Sequence, residues 1–150
     1  LTDAVVVDAS VALKWLLDED FTEEALRLRD RWVRDETPVL GPALLPFEMA
    51  NGLYKRVRKQ DLDVQDAITE LAEFLSWFGD VEDYPEVHSR AFEIAHELGQ
   101  GAVYDSHYIA LAEAWGAQLW TGDKKLWEAS HGRYPFVNFV GDYGEHESGA

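Results

Sequence analysis

Ala4-Val5-Val6-Val7-Asp8-Ala9-Ser10 is the stretch on which the fold turns. Three valines behind an alanine suit a strand buried on both faces, the kind found in parallel sheets. The run stops at an acid, and Ser10 can cap a helix through about Leu17. Ala117-Gln118-Leu119-Trp120 repeats the pattern, an apolar strand leading into Thr121-Gly122-Asp123. Two strands that each deliver a carboxylate and then a helix are the marks of an α/β domain.

The residues between them fill in the same scheme. Asp20 with Glu23 resembles a capping box before a helix running to about Arg34. Thr37-Pro38-Val39-Leu40-Gly41-Pro42 reads as a short strand between turn residues. Pro46 suits the first turn of a third helix reaching about Lys59. Val64, Ile68, Leu71 and Leu75 are spaced 4-3-4 and make one face of a fourth. Asp80-Val81-Glu82 reads as a brief strand. Pro85 opens a fifth helix and Gly99 ends it. Tyr104, Tyr108, Leu111 and Trp115 repeat the 4-3-4 spacing, and Gly116 stops that sixth helix. A short helix and a strand near Phe136-Val137-Asn138-Phe139 follow. The expectation is one domain over residues 1–140 with a parallel sheet, then a flexible acidic tail over 141–150.

Composition narrows the class. Hydrophobic residues make up 47% of the 150, enough to bury a core. The absence of cysteine removes disulfides, thiolate zinc sites and a cysteine nucleophile. No apolar run approaches the roughly 18 residues that span a bilayer, and the first residues lack a signal-peptide layout, so a cytoplasmic protein without membrane contact is expected. The net charge of −16 argues against non-specific binding to nucleic acid or anionic lipid. Distribution qualifies that sum. From Asp61 to Glu97 there are eleven acids and one basic residue, whereas Lys55-Arg56-Val57-Arg58-Lys59 holds four cations in five residues.

Four acids stand where α/β domains do chemistry. Asp8 and Asp123 follow strands and so belong at the carboxyl edge of the sheet, where the binding crevice forms. Glu48, just past Pro46, and Asp105, just past Gly99-Gln100-Gly101, sit in opening turns of helices. If those helices start at the same edge, four carboxylates converge. Unit charges about 4 Å apart repel by about 4 kcal/mol at an effective dielectric near 20. Such a group needs a counter-charge, and oxygen-only ligands suit Mg²⁺ or Mn²⁺. A metal held there can acidify a water and clamp phosphodiester oxygens. Taken singly, each acid reads more readily as a cap, turn former or helix-dipole partner than as a ligand.

The third helix adds cations. At 100° per residue, Lys55 and Lys59 lie about 20° to either side of Glu48, and Lys59 is roughly 16 Å further along the axis. Gly52 on the same stripe is expected to leave a groove open. Lys55 and Lys59, with Lys124 and Lys125 after Asp123, are candidate contacts to RNA phosphates. Trp127, behind that lysine pair, is a candidate base-stacking residue, although core packing is the commoner use of a tryptophan.

Four motifs in order resemble the PIN-domain family, and within it the VapC-type toxins of toxin–antitoxin pairs. They are Val5-Val6-Val7-Asp8-Ala9-Ser10, Pro46-Phe47-Glu48-Met49-Ala50-Asn51-Gly52-Leu53, Tyr104-Asp105-Ser106-His107-Tyr108-Ile109-Ala110-Leu111-Ala112 and Leu119-Trp120-Thr121-Gly122-Asp123. The resemblance implies a PIN-like three-layer domain with a central, mostly parallel five-stranded sheet flanked by helices. It implies Mg²⁺- or Mn²⁺-dependent endoribonuclease activity, homodimers and a cognate VapB-like antitoxin. Carried over by position, Asp8, Glu48, Asp105 and Asp123 are the catalytic, metal-binding acids, and Ser10 and Thr121 are hydroxyls that hold carboxylates or a metal-bound water. His107 stands where a small or apolar residue is more usual in that family.

Three other readings compete. A receiver-type or haloacid-dehalogenase-like phosphotransfer domain also places acids and Mg²⁺ at such an edge, but Asp8-Ala9-Ser10 lacks the second Asp of the phosphatase signature, and no acid pair follows the first strand. A catalytically inactive PIN-fold binding module would keep the fold without the chemistry. Asp105, Ser106 and His107 hint at a hydrolase triad, but triad members seldom stand consecutively, and no Gly-x-Ser-x-Gly elbow is present.

Overall fold

The computed structural model describes residues 3–78 and 81–144. Val5–Val7 form β1, and the strand lies at the centre of the sheet because both its faces are covered: Val6 and Val7 are fully buried. Val39–Leu40 (β2) pair parallel to β1 on one side and Gln118–Thr121 (β3) on the other, and Val137–Phe139 (β4) extend the sheet beyond β3. The order is β2-β1-β3-β4, all parallel. Helices cover it: α1 (Ala9–Ala12) with a following 3₁₀ turn, α2 (Thr22–Arg34), α3 (Leu44–Arg58), α4 (Val64–Phe78), α5 (Pro85–Leu98), α6 (Tyr104–Trp115) and α7 (Lys124–Ser130). The α6 helix packs on β1 and β3, with α5 against its outer side.

The expected fifth strand is not formed among the described residues. Glu82 makes a single isolated bridge to Pro42, with its amide donating to Gly41 O at 2.9 Å. α3 begins at Leu44, two residues past Pro42, so the pairing has little room to lengthen into a ladder. Asp80, the first residue of that predicted strand, lies outside the described residues.

Helix starts differ in instructive ways. Asp8, not Ser10, is the N-cap of α1, accepting from Val11 N, and Ser10 bonds to the Asp8 carboxylate instead. The helix predicted to reach Leu17 is α1 plus the 3₁₀ turn Leu13–Trp15. No capping box opens α2. Phe21 enters it in the left-handed region at φ 65°, while the Thr22 hydroxyl accepts from Glu19 N and donates to Leu17 O. The positive φ of Gly99 and Gly116, 66° and 63°, closes α5 and α6 as predicted.

The fourth helix buries a different face from the predicted one. Ala67, Phe74 and Phe78 are buried, with Leu71 partly so, whereas Val64, Ile68 and Leu75 remain exposed. Residues 67, 71, 74 and 78 are also spaced 4-3-4, and the stripe with two phenylalanines removes more apolar area from water. Phe74 stacks on Phe78 and meets Trp15, whose indole donates to Ala25 O at 2.9 Å.

At the chain's far end, Val140–Asp142 form a 3₁₀ turn and Tyr143 is buried against Trp120. The rest of the acidic tail lies outside the described residues.

Candidate active site

Parallel pairing sends β1 and β3 in one direction, so Asp8 and Asp123 emerge from the same edge of the sheet. Asp8 is buried. Its Oδ1 accepts from Ser10 Oγ at 2.5 Å and Val11 N at 3.2 Å, and its Oδ2 accepts from Thr121 Oγ1 at 2.5 Å. Both hydroxyls also tie down the opposite loop: Gly122 N donates to Ser10 Oγ at 2.7 Å and Asp123 N to Thr121 Oγ1 at 3.0 Å. One carboxylate is thus bound through two hydroxyls to the turn that carries the next acid. Burial raises the Asp8 pKa from 3.8 to about 6, against the lowering effect of the bonds to Ser10, Thr121 and Val11 and with a further push from the charge of Asp105.

Glu48 lies in the second turn of α3 and is half-buried. The Tyr108 hydroxyl donates to its Oε1 in a short bond. Burial raises the Glu48 pKa and Asp105 adds to this, while the Tyr108 bond and His107 act the other way. Asp105, the second residue of α6, has its pKa raised by burial and then by Asp123. Tyr108 is itself pushed far up by burial and by the bond to Glu48. Asp123 is exposed and caps α7 through Lys125 N and Leu126 N, at 3.0 and 3.2 Å.

Asp105 is the electrostatic hub of this group. Its charge is felt at Asp8 and Glu48, and it feels Asp123. Four acids from four separate segments therefore share one local field. Among the described residues no Lys or Arg forms an ion pair with any of them. The donor chemistry, oxygen-only and without a counter-charge, fits a hard divalent cation. The side chains do not stand in a finished coordination shell: no three His, Asp or Glu among the described residues are grouped at metal-holding distance. The reason is visible in the hydrogen bonds, since Asp8, Glu48 and Asp123 each turn oxygens toward hydroxyl or amide donors.

Of the thirteen Lys and Arg, five have no carboxylate partner among the described residues: Lys55, Arg58, Lys59, Lys124 and Lys125. In a chain with 29 acids, cations left unpaired at two places, the end of α3 and the start of α7, are a selective feature. Gly52, expected to leave a groove open, is a packing position instead. A Cβ there would lie 2.4 Å from Leu13 Cδ1, so α3 sits against the 3₁₀ turn.

Two residues near the acids carry more than the sequence suggested. Tyr108 reads as a core position of α6, yet a buried phenol needs a partner, and one turn behind Asp105 that partner is a carboxylate. Lys14 is buried beside Gly122, its Cε 2.8 Å from where a Gly122 Cβ would stand, and its ammonium reaches Glu19 at 3.4 Å. No pattern of spacing marks Lys14. His107 does not serve a hydrolase triad. Its Nδ1 faces Val103 O at 2.8 Å and its Nε2 faces His88 Nδ1 at 3.0 Å, and the buried Ser106 hydroxyl has no partner among the described residues.

Comparison with known proteins now decides the family. The chain matches the PIN domain over residues 5–131. It belongs to the PIN-domain family. Within that family it is of the VapC type. It is 35% identical over 126 residues to Ribonuclease VapC3 of Pyrobaculum aerophilum, covering 83% of this chain and 92% of that one. It is 30% identical over 135 residues to Ribonuclease VapC9 of Mycobacterium tuberculosis, covering 89% and 96%. Among solved structures, PAE2754 of Pyrobaculum aerophilum superposes with a TM-score of 0.71 at 23% identity over the whole of both chains. VapBC2 of Rickettsia felis, solved with a promoter DNA fragment, gives 0.62 at 17% identity, covering 91% of this PIN-domain chain and 96% of that one.

Proposed function

We propose that this PIN-domain protein is a Mg²⁺- or Mn²⁺-dependent endoribonuclease toxin, silenced by a VapB-like antitoxin and acting in the cytoplasm. The observation that carries the reading is the shared field of Asp8, Glu48, Asp105 and Asp123 without a Lys or Arg partner among the described residues. Relatives named ribonuclease support the reaction class.

Asp8, Glu48, Asp105 and Asp123 would hold the metal. A hard divalent ion on such oxygens supplies a water of lowered pKa and neutralises charge on a phosphodiester. The chain's own residues do the rest. Ser10 and Thr121 fix the Asp8 carboxylate, and the Tyr108 hydroxyl fixes Glu48, so neither acid swings away from its neighbours. Asp105, with its raised pKa and partial exposure, is placed to take or return a proton at its carboxylate. Lys55 and Lys59 on one side, and Lys124 and Lys125 on the other, bind flanking phosphates without first leaving a carboxylate.

The phosphotransfer reading needs Asp8 as a free nucleophile. Both of its oxygens are engaged and the residue is buried, which argues against it. A calorimetric Mn²⁺ titration separates the nuclease from an inactive module of the same fold.

The partner reading draws on two neighbours of the same fold: one from Klebsiella pneumoniae is a toxin–antitoxin complex, and VapBC2 from Rickettsia felis is bound to a promoter DNA fragment. The exposed Val64, Ile68, Leu75 and Trp77 on α4 are apolar area that a homodimer or an antitoxin segment would cover. Co-purification with the product of the neighbouring reading frame tests this. The decisive experiment for the chemistry is RNA cleavage with and without chelator, with Asp105→Asn as control. Cleavage that survives both chelator and substitution ends the proposal.

A further inference from the structure

Beside the edge strand β4 lies a cavity of about 270 Å³ lined by Trp120, Trp127, His131, Asn138, Phe139 and Asp142. Trp127 and His131 already stack, with ring centroids 4.1 Å apart and planes 16° from parallel, and Phe139 braces Trp127 at 6.1 Å. The volume falls below the roughly 300–1,000 Å³ of sites for drug-sized ligands and suits one planar ring system.

Two polar side chains of this cavity, Asn138 and Asp142, offer acceptor oxygens. Asn138 spends its amide nitrogen on Gln118 Oε1, Leu119 O and Phe136 O, which fixes its orientation and leaves Oδ1 without a donor among the described residues. Asp142 is half-buried and has no hydrogen bond or ion pair among the described residues. A carboxylate beside an aromatic ledge calls for a flat ligand with two neighbouring donors. Guanine presents N1–H and N2–H₂ side by side. Adenine, cytosine and uracil each set a lone donor group next to an acceptor.

Lys124, Trp127 and His131 stand at i, i+3 and i+7 along one stripe that runs from α7 onto its C-cap, His131. Lys124 and Lys125 carry no ion pair among the described residues, which favours a phosphate-bearing ligand and repels a partner's arginine. Trp127 is one helical turn from Asp123, roughly 6 Å along the axis. We propose that this pocket binds an unpaired guanine of the RNA substrate close to the scissile phosphate, stacking it on the Trp127–His131 ledge and reading its donor edge with Asp142 and Asn138. The proposal rests on the ribonuclease reading for the identity of the polymer, not for the pocket itself.

The test uses the full chain in chelator, with GMP, AMP, CMP, UMP and N-acetyl-arginine amide as probes. Binding is read from the NMR signals of the Trp127 indole N–H and the His131 ring. GMP is expected to move both and to bind about tenfold more tightly than the other nucleotides, as one good bidentate contact allows. Asp142→Asn should erase that preference, and His131→Ala should weaken all four nucleotides alike. Neither residue is in the core, and thermal melts confirm the fold of both variants. Equal affinity for the four nucleotides, a preference that survives Asp142→Asn, shifts confined to other residues, or tighter binding of the arginine amide would each overturn the proposal. Chelator-sensitive RNA cleavage is scored separately. Guanine binding without cleavage would sink the nuclease and keep the pocket, and cleavage without guanine binding would do the reverse.

Discussion

Asp8→Asn should abolish activity and, in metal-free protein, make the fold more stable. Folding lifts the Asp8 pKa from 3.8 to about 6. The folded state therefore holds more protons than the unfolded chain between those values, and the free energy of unfolding falls as pH rises through that window. Each unit corresponds to 1.36 kcal/mol, so ionised Asp8 costs the fold roughly 3 kcal/mol above pH 6 and nothing below pH 3.8. An asparagine never pays that penalty. It does replace one acceptor oxygen by a donor opposite Ser10 or Thr121, a loss of about 1 kcal/mol. The variant should be about 2 kcal/mol more stable at pH 7, a melting temperature roughly 4–8 °C higher for a chain of this size. The gap should vanish or invert near pH 4. The assay is calorimetric unfolding of both proteins in chelator across that range. Saturating Mn²⁺ should reverse the order at pH 7, because a ligand at 100 times its Kd adds about 2.7 kcal/mol to the protein that binds it. A variant that melts below the parent at pH 7 in chelator, or a gap that does not change with pH, refutes the reasoning.

Tyr108→Phe leaves the half-buried Glu48 carboxylate without its phenol donor. Stability should fall by about 1–3 kcal/mol and metal affinity by roughly 10–100-fold, read by urea unfolding and Mn²⁺ titration. Gly52→Ala places a methyl 2.4 Å from Leu13 Cδ1 and should cost about 1–3 kcal/mol by overpacking, with the Mn²⁺ affinity unchanged. Replacing Lys55 and Lys59 together by glutamate should weaken RNA binding for every sequence and reduce the salt slope by roughly one per lysine, measured by fluorescence anisotropy at several salt concentrations.

The sequence showed the acid-bearing edge of the sheet better than it showed the helices that support it. Asp8 and Asp123 were placed by a simple rule, since an acid after a buried strand of a parallel sheet must arrive at the carboxyl edge. The fourth helix shows where periodicity fails. Residues 64, 68, 71 and 75 and residues 67, 71, 74 and 78 have the same spacing and share Leu71, so only the bulk of Phe74 and Phe78 could choose between them. The missing strand ladder at Glu82 depended on α3 starting two residues past its partner Pro42, a tertiary fact. Ser10 was legible as a hydrogen-bonding residue near a helix start, but its partner was not: both Asp8 and Ser10 suit a cap, and the choice followed from Gly122 arriving from more than a hundred residues away.

The distribution of cations ties these observations together. An arginine or lysine beside Asp8 or Asp105 would offset the burial and repulsion that raise their pKa values. No ion pair of that kind exists among the described residues. Asp8, Glu48 and Asp123 are held instead by hydroxyls and backbone amides, donors that orient a carboxylate without neutralising it. A fold that places its arginines elsewhere, Arg90 on Glu113, Glu93 and Glu97 for example, leaves the negative field of these acids without a side-chain ion pair. On the ribonuclease reading proposed above, the same distribution lets a chain of net charge −16 meet a polyanion. Most of its positive charge is already matched by neighbouring carboxylates, and the unmatched part is gathered at the end of α3 and the start of α7. A basic surface spread evenly over the molecule would attract RNA in every register. Cations confined to two short segments can bind it only where the phosphate backbone reaches both.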